Sequence, residues 1–320
     1  MNTVNKKIFV TGGYGFVGSH LIEKLDTYFT KSTIICFDKM TYAASFSNLD
    51  KKLLKNKFIF IKGDIVNFDK LLKATKNIDY IINCCAESHV DKSFNSSLEF
   101  MNTNIIGSRN IFECARINQI SKTIQVSTDE VFGEIYKGSA DEETKLSPTN
   151  PYSASKAAAE MIANSYIKSF KTPINIIRGN NLYGIKQYHE KIIPYSCFCI
   201  AKQKKISLHG GGLVYRKFLH VEDFCDAIIC VLNNNNNKFE HYNVGTSNKS
   251  IRIYDLVCKI SKILSVDSKK FISSVKDRPF NDSRYSISNK KIKTLKWIEK
   301  FNFYDNLPEI CNWYYSKFKK

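Results

Sequence analysis

Tyr152 and Lys156 stand four residues apart in Pro151-Tyr152-Ser153-Ala154-Ser155-Lys156. On a helix that spacing puts both side chains on one face, one turn apart. A phenol is a poor base near neutrality because its ordinary pKa is about 10. A neighbouring ammonium, together with the positive ring of an oxidised nicotinamide, would favour the phenolate and lower that value. Tyr152 could then take a proton from a sugar hydroxyl while the carbon gives up hydride. The bland alternative is an amphipathic helix with an exposed lysine. A second group follows a predicted strand: Ser127-Thr128-Asp129-Glu130-Val131-Phe132-Gly133. A dehydrogenase or epimerase needs only a Tyr and a Ser or Thr. An acid and a base side by side suit an added elimination, with one carboxyl kept protonated by burial and by its neighbour's charge. Read without function, the pair would be helix-capping acids on a solvated turn.

These groups need a scaffold, and the N-terminal stretch Ile8-Phe9-Val10-Thr11-Gly12-Gly13-Tyr14-Gly15-Phe16-Val17-Gly18 supplies its start. Three apolar residues read as a buried strand, and the spacing of Phe16, Val17, Leu21, Ile22 and Leu25 as a helix. Gly12 permits the sharp turn, Gly15 a close approach of backbone to pyrophosphate, and Gly18 close packing of helix on sheet. Ile34 to Asp38 is a second strand ending in an acid about 20 residues beyond the last glycine. A carboxylate there accepts from ribose hydroxyls and repels a 2′-phosphate, so the expected cofactor is NAD rather than NADP. Further strands are expected at Phe58–Ile61, Ile78–Asn83, Thr123–Ser127 and Ile174–Arg178, with helices over Phe100–Ala115, Tyr152–Ser169 and Phe224–Leu232. Asp64, just past the third strand, either meets an adenine amino group or caps the helix around Lys70 to Lys73. The alternation predicts an α/β fold, a Rossmann-type doubly wound parallel sheet with ligands at the carboxyl ends of its strands. Residues 1–178 with 214–247 are expected to form the NAD-binding domain. Residues 179–213 and 248–320 are expected to form a smaller C-terminal substrate-binding lobe.

The chain of 320 residues is long enough for a sizeable core. It has no apolar run of membrane-spanning length and no charged-then-apolar leader, which predicts a cytoplasmic protein with no membrane partner. The net charge of +18 comes from lysines spread along the whole chain. The nearest clusters, Lys202-Gln203-Lys204-Lys205 and Lys317, Lys319 and Lys320, carry no RNA-binding motif, so no nucleic acid partner is expected. Most of the ten cysteines lie in apolar segments, no CxxC pair occurs and the six histidines are scattered, which argues against a metal site. Asn233 to Asn237 reads as an exposed loop.

Beyond these physical readings, the chain resembles the nucleoside-diphosphate-glucose 4,6-dehydratases of the dTDP-glucose 4,6-dehydratase type, in the extended short-chain dehydrogenase/reductase superfamily. The resemblance rests on TGGYGFVGSH, GDI, AESHVDKS, TNIIGS, STDEVFG, NPYSASKAAAE, EKIIP, RKFLHVED, YNVGT and DRPFNDSRYSIS, with Thr-Asp-Glu followed by YSASK as the discriminating pair. It implies hydride transfer from sugar C4 to NAD with Tyr152 taking the hydroxyl proton. Glu130 then removes the C5 proton, Asp129 protonates the departing C6 hydroxyl, and hydride is returned to C6. Thr128 would hydrogen-bond the sugar O4. Phe16, Val17, Asp38, Lys39, Thr41 and Asp64 are implied as NAD contacts, and so are Ile65, Ala86, Thr103, Tyr152 and Lys156. Nucleotide-sugar contacts fall on Ser88, Thr128, Asn181, Lys191 and Ile192, and on Ser207, His209, Arg216, Asn243 and Arg278. The arginines suit a diphosphate.

The chain also departs from the pattern at Leu182, Ile185, Phe280 and Asn281. His209 is similar to the plant UDP-glucose 4,6-dehydratases and tilts the expected base towards uracil. A methyl separates the two bases, worth only about 1 kcal/mol in a pocket. A homodimer through helices around residues 100 to 115 and 153 to 169 is expected by analogy. The competing readings are a 4-epimerase or decarboxylase of the same superfamily and, more remotely, a non-catalytic NAD-sensing protein.

Overall fold

The computed structural model describes residues 5–234 and 239–319; Asn235, Asn236 and Asn237 of the asparagine run, and Lys320, lie outside them. Six parallel strands follow in chain order: β1 (Lys7–Thr11), β2 (Thr33–Asp38), β3 (Lys57–Lys62), β4 (Tyr80–Asn83), β5 (Lys122–Thr128) and β6 (Ile174–Gly179). Beyond them come β7 (Asn181–Tyr183), β8 (Ile206–His209), β9 (Tyr215–Arg216), β10 (Phe218–His220), β11 (His241–Val244), β12 (Ile251–Arg252) and β13 (Ile272–Val275). The sheet runs β11-β6-β5-β4-β1-β2-β3, with β11 as a seventh strand that the sequence reading did not mark. Strand order reverses beside β1, so the glycine turn that follows β1 sits at the switch point, where open α/β sheets bind ligands. The remaining short strands pair outside this sheet, β10 on β7, β12 on β9 and β13 on β8.

The helices are α1 (Phe16–Tyr28), α2 (Phe68–Ala74), α3 (Val90–Asn95), α4 (Ser97–Phe100), α5 (Ser108–Ile117) and α6 (Pro151–Phe170) in the first half. The second half adds α7 (Ile192–Ala201), α8 (Val221–Asn233), α9 (Ile253–Ile263), α10 (Ser268–Phe271), α11 (Lys290–Lys293) and α12 (Phe303–Lys319). Strand side chains alternate between faces. Ile8, Val10, Ile34 and Cys36 therefore pack with Leu21 and Leu25 of α1 and Ile228 of α8. Phe9, Ile35 and Phe37 pack on the other side with Leu71 of α2, Ile111 of α5 and Ala163 of α6. With both faces covered, each strand reads as an unbroken apolar run. A separate cluster joins α7, α9 and α12 around Tyr183, Ile206 and Phe218. Ile292 and Trp297, late in the chain, reach back to the α1/α8 side of the sheet. Among the described residues, no helix is long and apolar enough to cross a membrane.

Two elements set the geometry of the site. Helix α6 starts on a capping box: Asn150 accepts from Ser153 N–H, the Ser153 hydroxyl reaches back to the cap, and Pro151 takes the first helical position. The helix expected over Phe100–Ala115 is not continuous, because Met101–Gly107 is π-helical between α4 and α5. Its buried Asn104 accepts from Glu87 N–H (2.9 Å) and donates to the Glu87 carbonyl (3.0 Å) and to the Ser155 hydroxyl (2.8 Å). Gly107 lies where a Cβ would come within 2.5 Å of Ile65, so the widened turn is also pressed against the core.

Candidate active site

One cleft of about 470 Å³ runs along the carboxyl ends of the strands, from the glycine turn to the loop that carries Arg278. Gly12 takes φ +66° and donates its N–H to the Phe37 carbonyl (2.9 Å). A Cβ on Gly18 would stand 2.1 Å from the Gly12 carbonyl oxygen, so α1 begins directly against the turn with its N-terminus facing the cleft. Gly13 is equally constrained for a packing reason, since a Cβ there would fall 2.5 Å from Cys36 Sγ. Asp38, at the end of β2, is buried and accepts from Tyr14 N–H (2.9 Å) and Met40 N–H (2.7 Å). Burial pushes its pKa up and the two N–H donors oppose that. Asp64 pairs with Lys39 (2.7 Å) and accepts from Val66 N–H, while the cap of α2 is Asn67. Gly15, Phe16, Val17, Thr41, Ala86 and Thr103 line the same part of the cleft.

The chemistry-bearing groups meet where β5 ends against α6. Thr128, Asp129, Glu130, Tyr152 and Lys156 all line the cleft. Thr128 Oγ1 accepts from Glu130 N–H (3.2 Å), which folds Asp129 and Glu130 into one tight turn. Asp129 is 2 % exposed. Burial raises its pKa to about 7, with the Glu130 charge adding to the rise and the Asn180 amide and Arg216 opposing it. Glu130 is also raised by burial, against the charges of Arg216 and Lys191, and Asn150 Nδ2 donates to it (3.4 Å). Lys156 donates to the Val126 carbonyl (2.6 Å), and burial lowers its pKa to about 8. The expected lowering of the Tyr152 pKa combines this ammonium with the positive ring of a bound oxidised nicotinamide, and the chain alone sets the value from which that lowering starts. Burial drives the phenol up, Glu130 and Asp129 add to the rise, and a hydrogen bond with Thr128 opposes it. Burial is the largest of these causes and sets the sign in the chain alone.

Farther along the cleft lie Ser88, Asn181, Lys191, Ile192, Ser207, His209, Arg216 and Arg278. Lys191 donates to the Ser88 carbonyl (2.6 Å). Arg216 rests over the Tyr285 ring (4.7 Å), donates to the Asp282 carbonyl (2.8 Å) and to Asn281 Oδ1 (3.1 Å). Asn281 thus steadies one of the two guanidinium groups expected at a diphosphate. Arg278 is already paired across the mouth with Asp91 (Nη2 to Oδ2, 3.1 Å).

The GDP-mannose 4,6 dehydratase family model matches residues 9–310. The chain belongs to that family. It is 36% identical to the human dTDP-D-glucose 4,6-dehydratase over 320 residues, covering 98% of this chain and 91% of the human protein. An Arabidopsis thaliana trifunctional enzyme, named for UDP-glucose 4,6-dehydratase, 3,5-epimerase and reductase activities, is 39% identical over 97% of this chain; the chain spans about half of that relative's length (47%). Among solved structures, the dTDP-glucose 4,6-dehydratase DesIV of Streptomyces venezuelae, with NAD bound, superposes with a TM-score of 0.92 at 31% identity over 97% of each chain. The Bacillus anthracis dTDP-glucose 4,6-dehydratase, in complex with NAD, does so with a TM-score of 0.87 at 35% identity, again over 97% of each chain.

In this family member two expected contacts fall away from the cleft. Asn243 is buried in β11, accepts from Arg178 (3.4 Å), and donates to the Ala140 carbonyl (3.3 Å) and, through its backbone N–H, to Glu142 (2.7 Å); it braces a loop. Ile65 has its side chain in the core against Gly107, so any contact with a ligand would fall to its backbone. Sequence reasoning missed others. Asn180 donates to Asp129 Oδ2 (2.7 Å), Asp282 accepts from Thr149 Oγ1 (2.9 and 2.7 Å) and from Tyr285, and a buried Glu160–Arg178 pair (2.7 Å) lies behind β5. The available signals were the asparagine preceding Asn181 and the charged residues inside otherwise apolar helix and strand patterns.

Proposed function

We propose that this chain is an NAD-dependent nucleotide-sugar 4,6-dehydratase, converting dTDP-glucose or UDP-glucose to the 4-keto-6-deoxyglucose nucleotide and water. The reading is carried by the adjacent Asp129 and Glu130 facing the same cleft as Tyr152. The cradle fits a dinucleotide: Gly18 admits no side chain, α1 presents its N-terminus, and Asp38 ends β2. When bound there, NAD would accept hydride from sugar C4 and give it back at C6.

The remaining steps belong to the chain's own side chains. Tyr152 takes the C4 hydroxyl proton, and Lys156, with its pKa near 8, supplies the ammonium that balances the phenolate. The C4 ketone then acidifies the C5 proton, which Glu130 removes. Asp129, protonated below about pH 7, donates to the leaving C6 hydroxyl. Thr128 hydrogen-bonds the sugar O4, and Arg216 and Arg278 grip the diphosphate. We read Ser207 and His209 as neighbours of the base. We also read residues 1–178 with 214–247 as the dinucleotide domain, and 179–213 with 248–320 as the nucleotide-sugar lobe.

A homodimer is supported by apolar side chains left exposed on or beside the expected helices: Met101 and Ile106, flanked by Leu98 and Ile117, on one stretch, and Met161, with Phe170 just beyond, on α6. A cytoplasmic enzyme is in keeping with a diffusible nucleotide-sugar substrate.

Incubation with UDP-glucose and dTDP-glucose tests the activity. A 4-keto-6-deoxy product is expected from at least one, and the ratio of specificity constants reports the base preference. A galactose epimer in its place would make the chain an epimerase.

A further inference from the structure

We propose that Asn180 fixes the position of the proton on Asp129, holding it on Oδ1 and so preparing that carboxyl to act as the acid of the elimination. The proposal rests on the dehydratase reading above. Asn180 lies between β6 and β7 and is 3 % exposed. Its Oδ1 accepts from the backbone N–H of Thr246 (2.9 Å). A backbone N–H can only donate, so the amide oxygen must face Thr246 and the amide NH₂ must face Asp129. The Nδ2 to Oδ2 distance is 2.7 Å. Oδ2 therefore always meets a donor, whereas Oδ1 meets the Thr128 hydroxyl, which donates to it at 3.3 Å but can turn to accept, so the proton of the neutral acid belongs on Oδ1.

The anchor is itself held. The Thr246 hydroxyl donates to Glu299, Ser247 N–H donates to the same carboxylate (2.8 Å), and Gly245 leaves no room for a side chain against the Ile287 carbonyl (2.6 Å). Glu130, by contrast, receives a longer contact from Asn150 (3.4 Å). In the elimination Glu130 takes the C5 proton, the C5–H electron pair becomes the C5=C6 bond, and the C6–O bond breaks. The Oδ1 proton of Asp129 joins the departing oxygen as water. The charged and titratable groups facing Asp129 are Glu130 on the same turn, Arg216 from β9 and Tyr152 from α6. With the amide donor removed, burial and the Glu130 charge are less opposed, and the proton is held to higher pH.

The test is an infrared titration of the protonated carboxyl band that is lost in Asp129→Asn, carried out on the wild type, Asn180→Ser and Asn180→Ala. The serine keeps an acceptor on the Thr246 side without reaching Asp129, and the alanine removes both contacts. The midpoint is expected to rise by about one pH unit or more in both variants, the worth of a charge-assisted hydrogen bond. Turnover should fall by about tenfold with KM within about threefold, and the alkaline limb of kcat should move up with the infrared midpoint. An unmoved midpoint overturns the proposal, and so does a fall in turnover with the alkaline limb in place, which would assign Asn180 to packing alone. A wild type that forms no 4-keto-6-deoxy product would overturn the dehydratase reading instead, while the infrared midpoint still reports on the Asn180 contact.

Discussion

Asp129 is a carboxylic acid whose usefulness and cost have the same origin. Buried at the end of β5, it titrates near 7 in the folded chain and near 3.8 when the chain is unfolded. The folded state therefore binds the proton more tightly, so stability falls as pH rises from about 4 to about 7, and the full penalty persists above that. Asp129→Asn should stabilise the protein at pH 8 by up to about 4 kcal/mol and by almost nothing at pH 4. Urea denaturation at the two pH values measures this, and an equal effect at both would contradict the raised pKa. Glu130 has the complementary duty. Glu130→Gln should leave nucleotide-sugar binding in place and cut both exchange of the C5 hydrogen with deuterated solvent and product release by about 100-fold or more. Normal exchange in that variant would remove Glu130 from the C5 step. Both carboxyls were legible in the sequence, as was Tyr152. The rise of the Tyr152 pKa in the chain alone was not, because spacing along a helix reveals a partner four residues away and hides how deeply the phenol is buried.

At the scale of elements, the strand at Lys7–Thr11, the turn at Gly12 and the helix from Phe16 formed where the apolar runs and glycines placed them. Asn180 and the Asn243 brace escaped notice, since each depends on which backbone N–H or carbonyl lies opposite in three dimensions. The π-helical stretch Met101–Gly107 was read as plain helix for a similar reason: apolar spacing does not reveal the contacts that Asn104, within it, makes with Glu87 and Ser155. What locks β5 to α6 is also non-local. Ser127 donates to Glu160 (2.5 Å), and Glu160 takes Arg178 through three contacts between 2.7 and 3.1 Å, all buried. Removing one charge from such a pair strands the other in a low-dielectric setting. Glu160→Gln should cost about 3–5 kcal/mol of stability in denaturant titrations, whereas loss of an ordinary surface ion pair costs less than about 1 kcal/mol.

At the scale of the whole molecule, the cleft is lined on one side by the carboxyl ends of the sheet and on the other by residues of α7 and α9, the helices that pack with α12. The excess of 18 positive charges would be expected to draw an anionic nucleotide by simple attraction. The pairing of Arg278, which lines the cleft, with Asp91 of α3 alters that picture. The guanidinium already has a resident counter-ion, so a diphosphate reaching it does not fill an empty charge; it trades places with Asp91. Capture of substrate becomes an anion exchange, and its dependence on ionic strength should be shallower than the local cations alone imply. Asp91→Asn should tighten UDP binding by about two- to fivefold at low salt, and the advantage should shrink as salt is added, which isothermal titration across a salt series would record.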